Sequence, residues 1–199
     1  MVAVFVSFLG FIVENCWLAL TKGYMDNRNM CLPFLLGYGL AIVVLYLLFG
    51  TPEAVCICGW KVPIRNKKIK VFLYYVCMIV CVSVGEILLG TFVEKVCHFS
   101  WWDYSSLPLH ITKYTSVPTS MMFAFLITFF MDRFMMPLYG YFRSWDYSVL
   151  STAAPVLSVL MSADFVYNAY KMYQTQGMVR RWKVHVKGLR DGKARRLLF

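Results

Sequence analysis

The stretch from Val71 to Val93 reads VFLYYVCMIVCVSVGEILLGTFV, an apolar run interrupted by a single charge, Glu86. A helix rising about 1.5 Å per residue carries such a run across the ~30 Å hydrocarbon core of a bilayer. Only a helix satisfies its own backbone there, so the run predicts a membrane-spanning helix. Four further runs have the same character: Val2 to Leu20, Leu32 to Phe49, Tyr114 to Met131 and Val149 to Tyr170. The last is the weakest, because it carries Pro155, Asp164 and Asn168. No window alternates like a barrel strand, and no repeat of fixed period stands out.

Composition points the same way. Of the 199 residues, 60% are hydrophobic and 15% charged, and the mean hydropathy is +0.61. Soluble domains run nearer half apolar and about a quarter charged. The expected fold is therefore all-α: a polytopic integral membrane helical bundle with about five transmembrane helices, multi-pass in the cell membrane. No Lys or Arg precedes the first run and no small-residue cleavage site follows it, so it reads as a retained helix, not a signal peptide. The seven cysteines form no paired framework and read as reduced, buried thiols.

The net charge of +10 comes from two segments. Lys61, Arg65, Lys67, Lys68 and Lys70 form one, and Arg180 to Arg196 adds eight basic residues against Asp191. Such segments set orientation and attract anionic lipid, expected here at Lys61, Lys67, Lys68 and the tail. Nucleic acid is not an expected partner. A cytoplasmic Lys61 to Lys70 puts the N-terminus inside and turns the loops Thr21 to Cys31 and Glu94 to Lys113 outward. Three crossings then separate the two basic segments. Either the fifth run does not span, or the tail lies outside despite its charge.

Charges inside spans cost roughly 3 kcal/mol on insertion scales, so each needs a reason. Glu14 lies about 20 Å along the first helix, and Glu86 about 24 Å beyond Lys70. Both depths fall in the outer half of the bilayer, with Glu94 two turns further out. Ser83, Glu86, Gly90 and Glu94 follow helical spacing and make one polar, small-residue stripe; Gly10, Glu14 and Trp17 make a second. This pattern reads as an outward-facing pocket lined by carboxylates, against the alternative that each Glu is interhelical glue. The outer loops add Arg28 and Asn29, then Pro33 opening the next helix and Tyr38 between Gly37 and Gly39. The second loop adds Trp102, Asp103 and Tyr104; a turn-forming Asp accepts backbone N–H bonds. Arg28 has Asp103, Glu94 or an anionic head group as candidate partners. Asp164 and Asn168, four residues apart, read as an end-of-membrane cap in preference to an intrahelical pair.

The candidate substrate-binding residues are thus Glu14, Arg28, Asn29, Tyr38, Glu86, Glu94, Trp102, Asp103 and Tyr104. No metal or cofactor is expected: Glu94 and His98 share a helix face, but neither HExxH nor a paired His occurs. No nucleophile motif and no phosphate-binding loop of the G-x-x-x-x-G-K-[ST] type is present, so no ATP hydrolysis and no catalytic site is assigned.

Glu14, the run Asn27-Arg28-Asn29…Pro33…Gly37-Tyr38-Gly39, the Glu86…Gly90…Glu94 spacing and Trp102-Asp103-Tyr104-Ser105 together resemble the CmpB-like, type IV ABC-transporter permease family of bacterial membrane proteins. A related four-helix module occurs in some animal multi-pass proteins. The resemblance covers roughly residues 5 to 142. The chain departs from the family pattern at Asn29, where Gly is usual, and at Leu32-Pro33, where Gly-Pro is expected. The resemblance implies a four-helix membrane module over 1–142, leaving 143–172 as a fifth membrane or interfacial helix and 173–199 as a basic tail. It also implies an ABC-type transport role with a separate ATPase docked on a cytoplasmic segment, for which Lys61 to Lys70 has suitable charge. Helices this few predict a homodimer or a partner subunit, with Gly10, Gly37, Gly39, Gly85 and Gly90 offering close-packing surfaces. The expected function is a transport component. The rivals are an intramembrane enzyme acting on a lipid or isoprenoid head group, and a non-catalytic accessory or assembly subunit.

Overall fold

The computed structural model describes residues 1–57, 60–61 and 63–186. Cys58 and the tail from Lys187 onward, to which part of the lipid-binding expectation belongs, lie outside the described residues. In chain order the elements are α1 (Val2–Lys22), β1 (Tyr24–Asp26), α2 (Leu36–Phe49), β2 (Cys56–Ile57), β3 (Trp60–Lys61), α3 (Lys67–Cys97), β4 (His110–Thr112), β5 (Thr115–Ser116), α4 (Val117–Arg133), α5 (Met135–Arg143), α6 (Tyr147–Thr175) and β6 (Lys183–His185). Among the described residues the strands form two-stranded antiparallel ribbons, β1–β6, β2–β3 and β4–β5. Among the described residues, four helices are long and apolar enough to cross a membrane, and α4 with α5, bent by 49° at their junction, makes a fifth if the pair is one broken span. The fold is an all-α helical membrane bundle.

Two compact units divide the chain: Met1–Leu40 with Tyr147–Phe199, and Ala41–Asp146. In the first, α1 ends where Gly23 adopts a left-handed conformation, φ 70°, and its N–H closes on the Ala19 carbonyl. Glycine takes that conformation without a Cβ penalty. The helix after the first loop starts later than Pro33 suggested. Phe34 N–H turns back to the Leu32 carbonyl, and Leu35 N–H donates to the Ser7 carbonyl of α1 at 2.9 Å. The chain is thus fastened to α1 before α2 begins. The fifth run is stronger than its composition implied, a helix of 29 residues that continues through Pro155. Beyond it, Lys183–His185 pairs with Tyr24–Asp26, and Val186 N–H donates to the Gly23 carbonyl. The start of the basic tail therefore lies beside the first loop.

In the second unit, α3 extends over 31 residues, with Asn66 capping its start by accepting from Lys68 N–H. His98, left-handed at φ 57°, closes its end by donating its N–H to the Glu94 carbonyl. Tyr114 lies ahead of the following helix, in the β4–β5 turn. α4 starts at Val117 because Ser116 and Thr119 cap it reciprocally and Pro118 fits the first turn. α4 packs along α3, with Ala124 and Ser120 fully buried.

Candidate polar sites

In the first unit Glu14 is the focus. One carboxylate oxygen accepts from the Arg28 guanidinium at 2.5 Å and the other from the Tyr38 hydroxyl at 2.5 Å. Arg28 is held there by its loop. Arg28 and Asn29 are both left-handed, and Arg28 N–H donates to the Asp26 carboxylate, which itself lies 3.8 Å from the guanidinium. Asn15, one residue beyond Glu14, accepts from Asp26 N–H. Further along, Asn27 donates to the Met30 and Val179 carbonyls and accepts from Arg181 N–H. Asp164 of α6 accepts from Cys31 N–H and Leu32 N–H, both at 3.0 Å, and Asn168 donates to it at 2.8 Å. The Asp164–Asn168 pair therefore caps the first loop instead of merely stabilising its own helix. Asn29 stands apart, donating to the Met178 sulfur.

In the second unit the candidates converge on one short segment, Lys113 to Thr115. Glu94 accepts from Lys113 at 2.5 Å and from the Tyr114 hydroxyl. The Trp102 indole donates to the Tyr114 carbonyl at 2.8 Å, and Tyr104 N–H to the Lys113 carbonyl at 2.8 Å. Asp103 accepts from Ser105 N–H at 2.8 Å; the Ser105 hydroxyl and N–H hold its carboxyl below the usual aspartate range. Glu86 accepts from the Thr115 hydroxyl at 2.6 Å. Thr115 is in turn 2.8 Å from the Ser120 hydroxyl, to which Ser83 donates at 3.0 Å.

The two foci are built alike. Residues 9–14 read Leu-Gly-Phe-Ile-Val-Glu and residues 89–94 read Leu-Gly-Thr-Phe-Val-Glu, a Leu-Gly-x-x-Val-Glu motif repeated at a spacing of 80. This corrects the expectation of no repeat. A Cβ on Gly10 would come within 2.6 Å of the Tyr38 ring, and one on Gly90 would overlap the Tyr114 ring. In each copy, then, the glycine admits a tyrosine ring, and that tyrosine's hydroxyl reaches the glutamate one turn on. A basic residue completes both, Arg28 in one and Lys113 in the other. The copies differ where Glu86 and Ser83 stand: a shift of 80 puts Val6 and Ala3 at those positions.

Arg28 thus pairs with Glu14. Glu14, Arg28 and Tyr38 come together in one unit, and Glu86, Glu94, Trp102, Asp103 and Tyr104 gather about one segment of the other. Lys113, Tyr114, Thr115 and Ser120 are additions that sequence reasoning missed. The repeated motif was the signal that could have found Tyr114, since the second glycine needs a reason as the first does. Chemically the carboxylates are of two kinds. Glu14 and Glu94 are compensated by a cation and a phenol, an arrangement that fixes a loop to a helix end. Glu86 has hydroxyl partners and no basic partner among the described residues. Among those residues, too, no three His, Cys, Asp or Glu side chains converge as a metal site would require.

Residues 1–169 match the model of the family described as "Putative ABC-transporter type IV". No curated protein and no solved structure matches the chain.

Proposed function

The chain belongs to the family described as "Putative ABC-transporter type IV", and from that membership we propose that it is a permease-type transport component of the cell membrane. The observation that carries this reading is Glu86. It is a carboxylate on a spanning helix whose partners are hydroxyls, so its charge is available to something that binds. Glu14–Arg28–Tyr38 and Glu94–Lys113–Tyr114 act as struts holding the two loops that flank the polar sites. Trp102, Asp103 and Tyr104 shape the second loop, and Asn29 the rim of the first. No phosphate-binding loop occurs in this chain, so ATP hydrolysis falls to a separate subunit docking at Lys61 to Lys70 on the cytoplasmic side. Association with a second copy or a partner completes the translocation path. Lys61, Lys67, Lys68 and the tail hold anionic lipid.

Mass spectrometry of material co-purified in mild detergent tests the proposal. A small polar ligand present in the wild type, lost in folded Glu86→Gln and chemically unaltered after incubation supports transport. Conversion of the ligand during incubation overturns it in favour of an enzyme acting on that compound.

A further inference from the structure

The Leu-Gly-x-x-Val-Glu repeat supplies an internal control. Whatever is common to both copies serves the shared architecture, and whatever occurs in one copy needs another explanation. Glu86 and Ser83 occur in one copy only, and both face the same buried hydroxyls. Thr115 and Ser120 are each 0% exposed, and the chain of contacts Ser83–Ser120–Thr115–Glu86 runs at 3.0, 2.8 and 2.6 Å. Four oxygens from four side chains are therefore linked in one continuous chain, with a single formal negative charge at its end and no basic residue against it among the described residues.

We propose that Glu86, Thr115, Ser120 and Ser83 form a binding site for a small monovalent cation, Na+. An all-oxygen donor set suits a hard cation and not a transition metal. One carboxylate with three neutral hydroxyls matches a single positive charge; Ca2+ sites draw on several carboxylates, and Mg2+ keeps most of its water. The oxygens, hydrogen-bonded at 2.6–3.0 Å, must spread to admit an ion, and Na+ asks a smaller displacement of them than K+ does. Binding requires the hydroxyls to turn their lone pairs inward and donate their protons elsewhere. Ser83 and Ser120 lie in helices, where a serine hydroxyl donates readily to the carbonyl four residues back, here those of Ile79 and Ser116. Without the ion the same hydroxyls donate along the chain toward Glu86. The site thus has one hydrogen-bond arrangement for each state. This inference deepens the transport reading by naming the ion, and rests on it only for the use to which the ion is put.

The test reads binding alone, so it is separable from transport. The full-length protein in detergent is unfolded thermally in NaCl, KCl or choline chloride at equal ionic strength. Na+ at about ten times its dissociation constant raises the midpoint by roughly 3–6 °C over choline. Glu86→Gln, which keeps an acceptor for Thr115, abolishes the Na+-specific rise. Ser83→Ala, further from the charge, shifts the Na+ titration to about tenfold higher concentration and serves if Glu86→Gln fails to fold. Identical midpoints in all three salts for the wild type, or a Na+-specific rise that persists in Glu86→Gln or is unmoved in Ser83→Ala, overturn the proposal. Either result leaves the co-purified-ligand test of transport standing.

Discussion

A methyl group placed on Gly90 points straight into the Tyr114 ring, whereas one placed on Gly85 of the same helix meets nothing within 4 Å. The pair separates helix propensity from packing. Ala favours a helix over Gly by about 1 kcal/mol, and both variants gain that. At Gly90 the ring must shift as well. Overpacking costs about 1–3 kcal/mol, and moving the ring strips Glu94 of a hydrogen bond to a charged group worth about 1.5–3 kcal/mol. Gly90→Ala should therefore lose about 2 kcal/mol net, or roughly 4–8 °C in a chain of this size, while Gly85→Ala gains roughly 1–4 °C. A thiol-reactive dye in a detergent melt reads this once every other cysteine is replaced by Ser, because Cys97 is buried at the end of α3 whereas Cys16 and Cys31 are exposed and would react before unfolding. Equal midpoints for the two variants would refute the claim that glycine is there to admit the tyrosine.

Other expectations follow from the same contacts. Gly10→Ala should mirror Gly90→Ala in the same melt, since its Cβ would meet the Tyr38 ring at 2.6 Å. Asp164→Ala leaves the Cys31 and Leu32 N–H groups without their acceptor, a cost of about 2–4 kcal/mol; limited trypsin digestion should cut at Arg28 faster than in the wild type. Trp102→Phe removes one indole-to-carbonyl bond and should cost about 1 kcal/mol by thermal melt. Because Lys183–His185 pairs with Tyr24–Asp26, an impermeant maleimide should label Val184→Cys and Cys31 from the same side of intact cells. One crossing separates that loop from Lys61 to Lys70, so Arg65→Cys should label from the other side.

The spans were legible because a bilayer imposes a length and a composition that few other environments do. Val71 to Val93 admits no other reading, and even the weak fifth run proved a full helix, since one Pro and two polar residues do not outweigh its apolar length. Helix starts were less legible. Pro33 looked like a helix opener and Tyr114 like the start of an apolar run, but the Leu35 bond to Ser7 and the Ser116–Thr119 cap decide where α2 and α4 begin. The identity of the polar residues was readable and their pairing was not. Arg28 reaches Glu14 only because two consecutive residues adopt left-handed conformations, which neither charge nor spacing encodes. The strand at Lys183 depends on a partner far away in the chain, and nothing local marks it. Leu-Gly-x-x-Val-Glu was in plain view, yet four matching residues in a Leu- and Val-rich background carry little signal until both glycines are seen under tyrosine rings.

The central claim is that Glu14 and Glu94 hold the structure together while Glu86 is held in reserve for binding. Removing one partner of a half-buried ion pair costs about 1–3 kcal/mol once exposure is allowed for, whereas Gln at position 86 keeps the Thr115 bond and sheds a charge that no basic residue offsets among the described residues. Thermal midpoints of Glu14→Gln, Glu94→Gln and Glu86→Gln, measured side by side in sodium-free buffer, test this most directly. The account predicts that the first two fall by several degrees while Glu86→Gln matches or exceeds the wild type; a Glu86→Gln midpoint as low as the other two would contradict it.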